Sequence, residues 1–298
     1  DIFVDGASST AENFKVPKML IGLTIVAFGT SAPEFAVSVS ALASGSPDMV
    51  LGNVIGSCIL NILLILGVAA LIRPIKIKDN TVRKEIPLCL LISILLAVLF
   101  LDVFLAGGDI NQITRADAIV ILLFFTVFLY YLFSMAKQKK EKVEDTKPQY
   151  TLGKSAMLIL VGLAGIIIGS QLVVDSATNI AEVMGMSERL IALTVIAFGT
   201  SLPELVTTIV ASKKGEQDLV VGNIIGSNIF NICVVLGIPV AIFGTITPVG
   251  FQMLDIIMLV ASAAMLFIFA ASTKKINRVE GIIMLATFAV YYGVIMLV

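Results

Sequence analysis

The segment Gly29-Thr30-Ser31-Ala32-Pro33-Glu34 returns as Gly199-Thr200-Ser201-Leu202-Pro203-Glu204, each time setting one carboxylate inside a long apolar stretch. A charged carboxylate at membrane depth costs about 3 kcal/mol or more, and such residues normally pair with a cation or line a polar path. No basic residue stands near either glutamate in the sequence. Cations or protons are left to neutralise them, so the chemistry in view is ion coordination.

Neighbouring residues suit the same task. Pro33 and Pro203 lack a backbone N–H and clash with the carbonyl four residues back, which predicts helix breaks that free oxygens around Gly29 and Gly199. Glycine tolerates the unusual dihedrals of such a turn. Broken helices at membrane depth are accepted where they line a cavity, and their carbonyls can coordinate Na⁺. Thr30 and Glu34 stand four apart, as do Thr200 and Glu204, so a roughly continuous helix would put each hydroxyl beside its own carboxylate. A second motif follows each first one: Gly52-Asn53-Val54-Ile55-Gly56-Ser57 with Asn61, and Gly222-Asn223-Ile224-Ile225-Gly226-Ser227 with Asn231. Ser57 shares a face with Asn61, and Ser227 with Asn231.

Two carboxylates, hydroxyls, amide oxygens and carbonyls form an all-oxygen set of formal charge −2, the hard ligands that Ca²⁺ prefers. Nothing soft is offered to copper or zinc. Small and polar residues also serve helix packing in membranes, and that reading suits Gly22, Gly67, Gly237 and Ser38. Asn53 and Asn223 stay open between ligating an ion and holding the helix break in shape, and Gly56 and Gly226 complete the structural motif. Asp102, Asp109, Asp117, Asp175, Asp255 and Glu280 fall at helix ends or in loops and are expected at the interface.

The elements that carry these residues are membrane helices. The chain is 58% hydrophobic and 14% charged, with mean hydropathy +1.04, against a charged share of roughly 25% in soluble domains. Apolar runs long enough to span the hydrocarbon core lie near 19–43, 49–72, 86–105, 116–136, 154–180, 189–212, 219–243, 251–272 and 279–298. One offset of 170 residues aligns Leu20 through Gly67 with Leu190 through Gly237 without a gap, about half of the positions being identical. The expected fold is an all-α membrane protein on a ten-helix plan of two five-helix repeats. An odd number of helices per repeat makes the copies inverted, as in many secondary transporters. The first repeat takes residues 1–136 with its motif at 24–67, a basic linker takes 137–153, and the second repeat takes 154–298 with its motif at 194–237. At the same offset Asp1 corresponds to Gln171, inside the sixth helix, so the first helix is expected to be largely absent ahead of Asp1.

Net charge is −1, yet the 20 Lys and Arg are unevenly placed. Assigning loops alternately to two sides gives 18 on one, including the linker, against Arg115 and Arg189 on the other. The positive-inside rule puts the linker in the cytoplasm and the C-terminus outside. Cys58, Cys89 and Cys233 sit in apolar stretches at no metal-ligand spacing, and the absence of histidine excludes a histidine proton relay. The first apolar span carries the motif itself, so it is no signal peptide.

Both motif pairs, twice and in order, resemble the α-repeats of the calcium/cation antiporter superfamily, in particular its prokaryotic sodium/calcium exchanger branch. The resemblance covers essentially the whole chain. It implies alternating access, with ions held between the second, third, seventh and eighth helices while the first and sixth move as gates. It further implies that Glu34 and Glu204 are central ligands shared by Ca²⁺ and Na⁺, with Thr30 and Thr200 contributing. Those threonines and the carbonyls of Ala27 and Ala197 would form flanking Na⁺ sites with Ser57 and Ser227. Asn61 and Asn231 would close the middle, and Ser31 and Ser201 complete the cation-binding set. Retention of the Thr-Ser-x-Pro pattern in both copies favours Na⁺ over H⁺ coupling, and Asn231, where the potassium-dependent branch has aspartate, makes K⁺ unnecessary.

The expected function is Na⁺/Ca²⁺ antiport exporting Ca²⁺ across the plasma (inner) membrane, with no enzymatic activity, cofactor, nucleic acid or obligate protein partner. An H⁺/Ca²⁺ antiporter of the same fold is the nearest alternative, since facing glutamates can also take up protons, and a passive cation channel is a more distant one. An intramembrane aspartyl protease would need two aspartates sharing a proton, and the central acids here are glutamates.

Overall fold

Apolar stretches become helices throughout the computed structural model, which describes residues 1–137, 148–186, 191, 195–248 and 252–297. The chain opens with α1 (Ile2–Phe14), then α2 (Lys18–Thr30) and α3 (Ala32–Ala43), the latter two bent by 43°. Pro33, in the first turn of α3, cannot donate to the turn before it, and Ser31 at the joint leaves helical geometry with φ −85° and ψ 8°. Next come α4 (Pro47–Ile72), α5 (Ile86–Phe100), a short α6 (Asp102–Ala106), α7 (Arg115–Lys137) and α8 (Leu152–Val183). The joint recurs between α9 (Ala197–Thr200) and α10 (Leu202–Lys214), where Ser201 has φ −82° and ψ 5° above Pro203. The chain ends with α11 (Gln217–Phe243), α12 (Met253–Thr273) and α13 (Arg278–Leu297).

Among the described residues six helices are long and apolar enough to cross a membrane: α4, α7, the Leu152–Leu172 part of α8, α11, α12 and α13. The bent α2 and α3 together make a seventh. The span expected over 86–105 ends at Phe100 instead, because Leu101 turns the chain (φ −88°, ψ 47°) into α6, which Gly107 closes in the left-handed region at φ 68°. That leaves α5 a helix of 15 residues, about 22 Å long, preceded by a π-helical turn at Thr81–Glu85. The start of the span expected over 189–212 and most of the polar linker (138–147) lie outside the described residues.

Burial separates the helices into centre and periphery. The most apolar stretches of α4 and α11 are 78% and 89% buried, against 22% for α7 and 17% for α8. Apolar side chains on the outer helices, such as Leu123, Val127 and Leu160, are exposed, as lipid contact requires.

Small residues allow the central crossings. A Cβ at Gly222 would stand 2.9 Å from the Met19 carbonyl oxygen and 3.0 Å from Gly22 Cα, and one at Gly226 2.7 Å from Ala27 Cβ, so α11 and α2 touch backbone to backbone. Gly67 of α4 and Gly281 of α13 meet likewise, as do Gly6 of α1 and the Ser155 carbonyl of α8.

Short antiparallel pieces, absent from an all-helical expectation, tie the loops. β1 (Ile75–Lys76) pairs with β2 (Lys275–Ile276), and Ile113 bridges Ile246. One face gathers the ion pairs: Lys18 with Glu216 at 2.7 Å, Lys78 with Asp218 at 2.5 Å, Lys274 with Asp79 at 2.7 Å, and Lys214 with Asp5. The Lys274 ammonium, hydrogen-bonded to Asp79, holds that carboxyl below its ordinary pKa. Asp255 stands at a helix end, in the first turn of α12, and is fully buried among protein groups there: it caps α12 with Gln252 and accepts the Tyr291 hydroxyl at 3.0 Å.

Candidate cation site

Both helix joints lie against the central pair α4 and α11, and every polar side chain of the two motif pairs is buried there. Four of the polar contacts run between residues of different motif copies. Ser31 Oγ donates to Glu204 Oε1 at 2.8 Å, and Ser201 Oγ donates to Glu34 Oε1 at 3.1 Å. The Thr30 hydroxyl stands 3.2 Å from Asn223 Oδ1, and the Thr200 hydroxyl 3.2 Å from Asn53 Oδ1. The expectation of a roughly continuous helix, with each hydroxyl on the side of its own carboxylate, is corrected on this point: the helix breaks at Ser31 and Ser201, and each hydroxyl has its single proton within reach of two acceptors, the asparagine oxygen of the other copy and its own helix's Val26 or Ile196 carbonyl.

The two open asparagines bond the helices that follow the joints. Asn53 Nδ2 donates to the Glu34 backbone carbonyl at 3.0 Å and to Ser38 Oγ at 3.1 Å, and Asn223 Nδ2 donates to Thr208 Oγ1 at 3.0 Å. Ser38 and Thr208 are themselves related by the offset of 170 residues, a signal for their shared role that the sequence contains. Replacing Asn53 or Asn223 by alanine leaves such buried groups unpaired, at about 1–3 kcal/mol each. The expected outcome is a lowered thermal unfolding midpoint of the detergent-solubilised protein without added ions. An unchanged midpoint with lost ion affinity would instead assign these amides to the ion.

The carbonyls expected to be freed by the prolines are partly retaken. The Ala27 oxygen accepts the Ser31 N–H at 3.0 Å and the Ala197 oxygen the Ser201 N–H at 3.2 Å, while Gly29 and Gly199 carbonyls take cap N–H groups. Each carbonyl keeps a second lone pair. Asn61 and Asn231 lie in π-helical stretches, Leu60–Leu66 and Asn231–Leu236, a local widening frequent at functional sites. Ser227 Oγ donates to Glu204 Oε1 at 3.2 Å.

Among the described residues nine buried side-chain polar atoms remain without a protein partner: Glu34 Oε2, Glu204 Oε2, Ser57 Oγ, Asn61 Oδ1 and both amide atoms of Asn231 in the motifs, and Glu85 Oε2, Ser155 Oγ and Thr207 Oγ1 outside them. Orphans of this kind are rare and costly, and most of these are oxygens on the residues singled out by the repeat. Their chemistry fits a hard cation. No group of three or more His, Cys, Asp and Glu that could hold a metal occurs among the described residues, so two carboxylates set the charge. Sequence reasoning missed Asn228, fully buried beside Asn61 and bonded to it at 3.0 Å. Its repeat counterpart is Cys58, so duplication gave no signal there.

A helical membrane bundle with paired acids buried at matching helix joints has the architecture of a secondary transporter. Comparison with known proteins narrows the class: the chain belongs to the sodium/calcium exchanger protein family, which it matches over residues 1–134 and 154–297. It is 41% identical over 301 residues to CaxA of Alkalimonas amylolytica, covering 98% of this chain and 92% of that protein. It is 29% identical over 331 residues to the sodium/calcium exchanger MaX1 of Methanosarcina acetivorans, covering 99% and 93%. The structure is similar to that of the sodium-calcium exchanger NCX_Mj soaked with 10 mM Na⁺ and zero Ca²⁺, with TM-score 0.80 and 34% identity over 99% of this chain and 92% of that one. The protein is a cation/Ca²⁺ antiporter of this family.

Proposed function

We propose that the chain exchanges Na⁺ for Ca²⁺ by alternating access, exporting Ca²⁺ from the cytoplasm, with Glu34 and Glu204 as the central ligands. The observation that carries this reading is the set of orphaned oxygens on Glu34, Glu204, Ser57 and Asn61, buried at the joints of two motif copies. Two carboxylates neutralise one Ca²⁺ completely. The ion-pair face holds the loops that the positive-inside rule assigns to the cytoplasm, including Lys18, Lys78, Lys214 and Lys274. A polar cavity of about 540 Å³, lined by Ser40, Ser44, Gln171 and Asp175 among others, lies near the opposite end of α3. On the ion-pair face the residues at the matching repeat positions include Lys214 and Asp5, which are bonded to each other. This supports a conformation closed on the cytoplasmic side and approachable from outside, with two inverted repeats exchanging roles during transport.

The test is ⁴⁵Ca²⁺ uptake into Na⁺-loaded proteoliposomes diluted into Na⁺-free buffer. Uptake that requires interior Na⁺ is the expected result. Uptake driven only by an imposed pH gradient would move the protein to H⁺ coupling, and flux needing no counter-ion would make it a channel.

A further inference from the structure

We propose that Asn228 is a positioning residue that fixes the amide of Asn61 with its oxygen toward the cation, and that its counterpart Cys58 leaves Asn231 without such a lock. The proposal rests on the Ca²⁺ site described above and concerns how its two middle ligands differ. Asn228 Nδ2 stands 3.2 Å from the Cys58 backbone carbonyl, and Asn228 Oδ1 stands 3.0 Å from Asn61 Nδ2. A carbonyl oxygen only accepts, so the amide of Asn228 must present its NH₂ there and its oxygen on the other side. That oxygen in turn also only accepts, so Asn61 must present its NH₂ to Asn228. The remaining end of Asn61 is therefore Oδ1, buried and without a protein partner. One backbone carbonyl thus sets the sense of two amides in series, and the end left over is the one that can ligate a cation.

The matching arrangement in the other copy is broken. Residue 58 is cysteine, whose Sγ reaches the Asn228 backbone carbonyl at 3.8 Å and has no amide oxygen to offer Asn231. Both amide atoms of Asn231 are buried without a partner. An amide without a lock presents oxygen or NH₂ to the site, and only the oxygen attracts a cation. The duplicated site accordingly has one fixed and one adjustable amide ligand.

The experiment measures ⁴⁵Ca²⁺ binding to the purified full chain in detergent at fixed Na⁺. Groups that orient metal ligands are typically worth 10–100-fold in affinity, so Asn228→Ala is expected to weaken Ca²⁺ binding by about tenfold or more. Asn61→Asp removes the need for orientation, because a carboxylate has no wrong end. In that background Asn228→Ala should cost nothing or restore affinity, an outcome that a general packing defect would not give. Equal losses in both backgrounds, or no loss in the parent, would overturn the proposal. Should Asn61→Asp itself not bind Ca²⁺, Cys58→Asn decides: by supplying an acceptor for Asn231 it should tighten binding, and unchanged or weakened binding counts against the assignment. If the parent protein binds no ⁴⁵Ca²⁺, the calcium reading falls, which is distinguishable from a parent that binds and an Asn228→Ala variant that binds equally well.

Discussion

Replacing either Glu34 or Glu204 by glutamine is expected to abolish Na⁺-dependent ⁴⁵Ca²⁺ uptake while leaving the protein folded. The two carboxylates supply the whole formal charge of a site whose residues are fully buried. Removing one leaves Ca²⁺ with an uncompensated charge where little water screens it. At a Ca–O distance near 2.4 Å and an effective dielectric constant of about 20, a carboxylate's unit charge against the double charge of Ca²⁺ is worth roughly 14 kcal/mol. Even if relaxation and easier desolvation recover about three quarters of this, the loss exceeds a hundredfold in affinity. Folding should respond in the opposite sense. Glutamine keeps the shape and an oxygen that can accept from Ser201 or Ser31, and it removes a buried charge whose ionised form is costly without a cation. The thermal midpoint without ions should therefore hold or rise while Ca²⁺ no longer raises it. Full uptake by either variant would overturn the assignment of these residues to the site.

The second large effect is on assembly. Gly226→Val places its Cβ 2.7 Å from Ala27 Cβ and 2.9 Å from Leu23 Cα, distances that real Cβ atoms do not tolerate. The obstacles are backbone and a β-carbon, so no side-chain rotation relieves them. Overpacking in a close-packed interior costs about 1–3 kcal/mol or more, and the remaining valine methyls add to it. Separating α2 from α11 would also move Ala27, Thr30 and Ser31, which the same crossing positions. Size-exclusion chromatography of the solubilised variant should show loss of the monodisperse species. Gly165→Ala is the control, since nothing stands within 4 Å of a Cβ at that position on α8. Alanine there should be neutral or stabilise slightly through helix propensity. A well-behaved, active Gly226→Val protein would show that α2 and α11 can separate without loss of assembly or transport.

Much of this molecule was legible before any fold was known, and for local reasons. Apolar runs of about 20 residues report the membrane class, because a bilayer demands helices of that length with their backbone groups satisfied internally. Pro33 and Pro203 act on their own preceding turn, so the positions of the joints at Ser31 and Ser201 follow from the chain alone. The offset of 170 residues identified Glu34, Thr30, Ser57 and Asn61 with their counterparts as one set of residues.

Spacing could not say which member reaches which. An (i, i+4) argument for a continuous helix put Thr30 on the side of Glu34, whereas in the structure the Thr30 hydroxyl stands by Asn223 and the Ser31 hydroxyl donates to Glu204. The partners are 193 and 173 residues apart; the docking of α2 onto α11 through Gly22, Gly222 and Gly226 brings Thr30 to Asn223, and the packing of α10 on α11 adds Glu204. The loop pairing of β1 with β2 depends likewise on neighbours far along the chain. Asn228 was invisible to duplication because its counterpart is Cys58, yet the structure makes it the partner of Asn61. Sequence by itself determined the helices, their breaks and the polar residues they carry, since those depend on interactions within a few turns. Tertiary structure alone decided which residues of the other copy reach the two carboxylates and which end of the Asn61 amide is left free, because those depend on how distant helices cross.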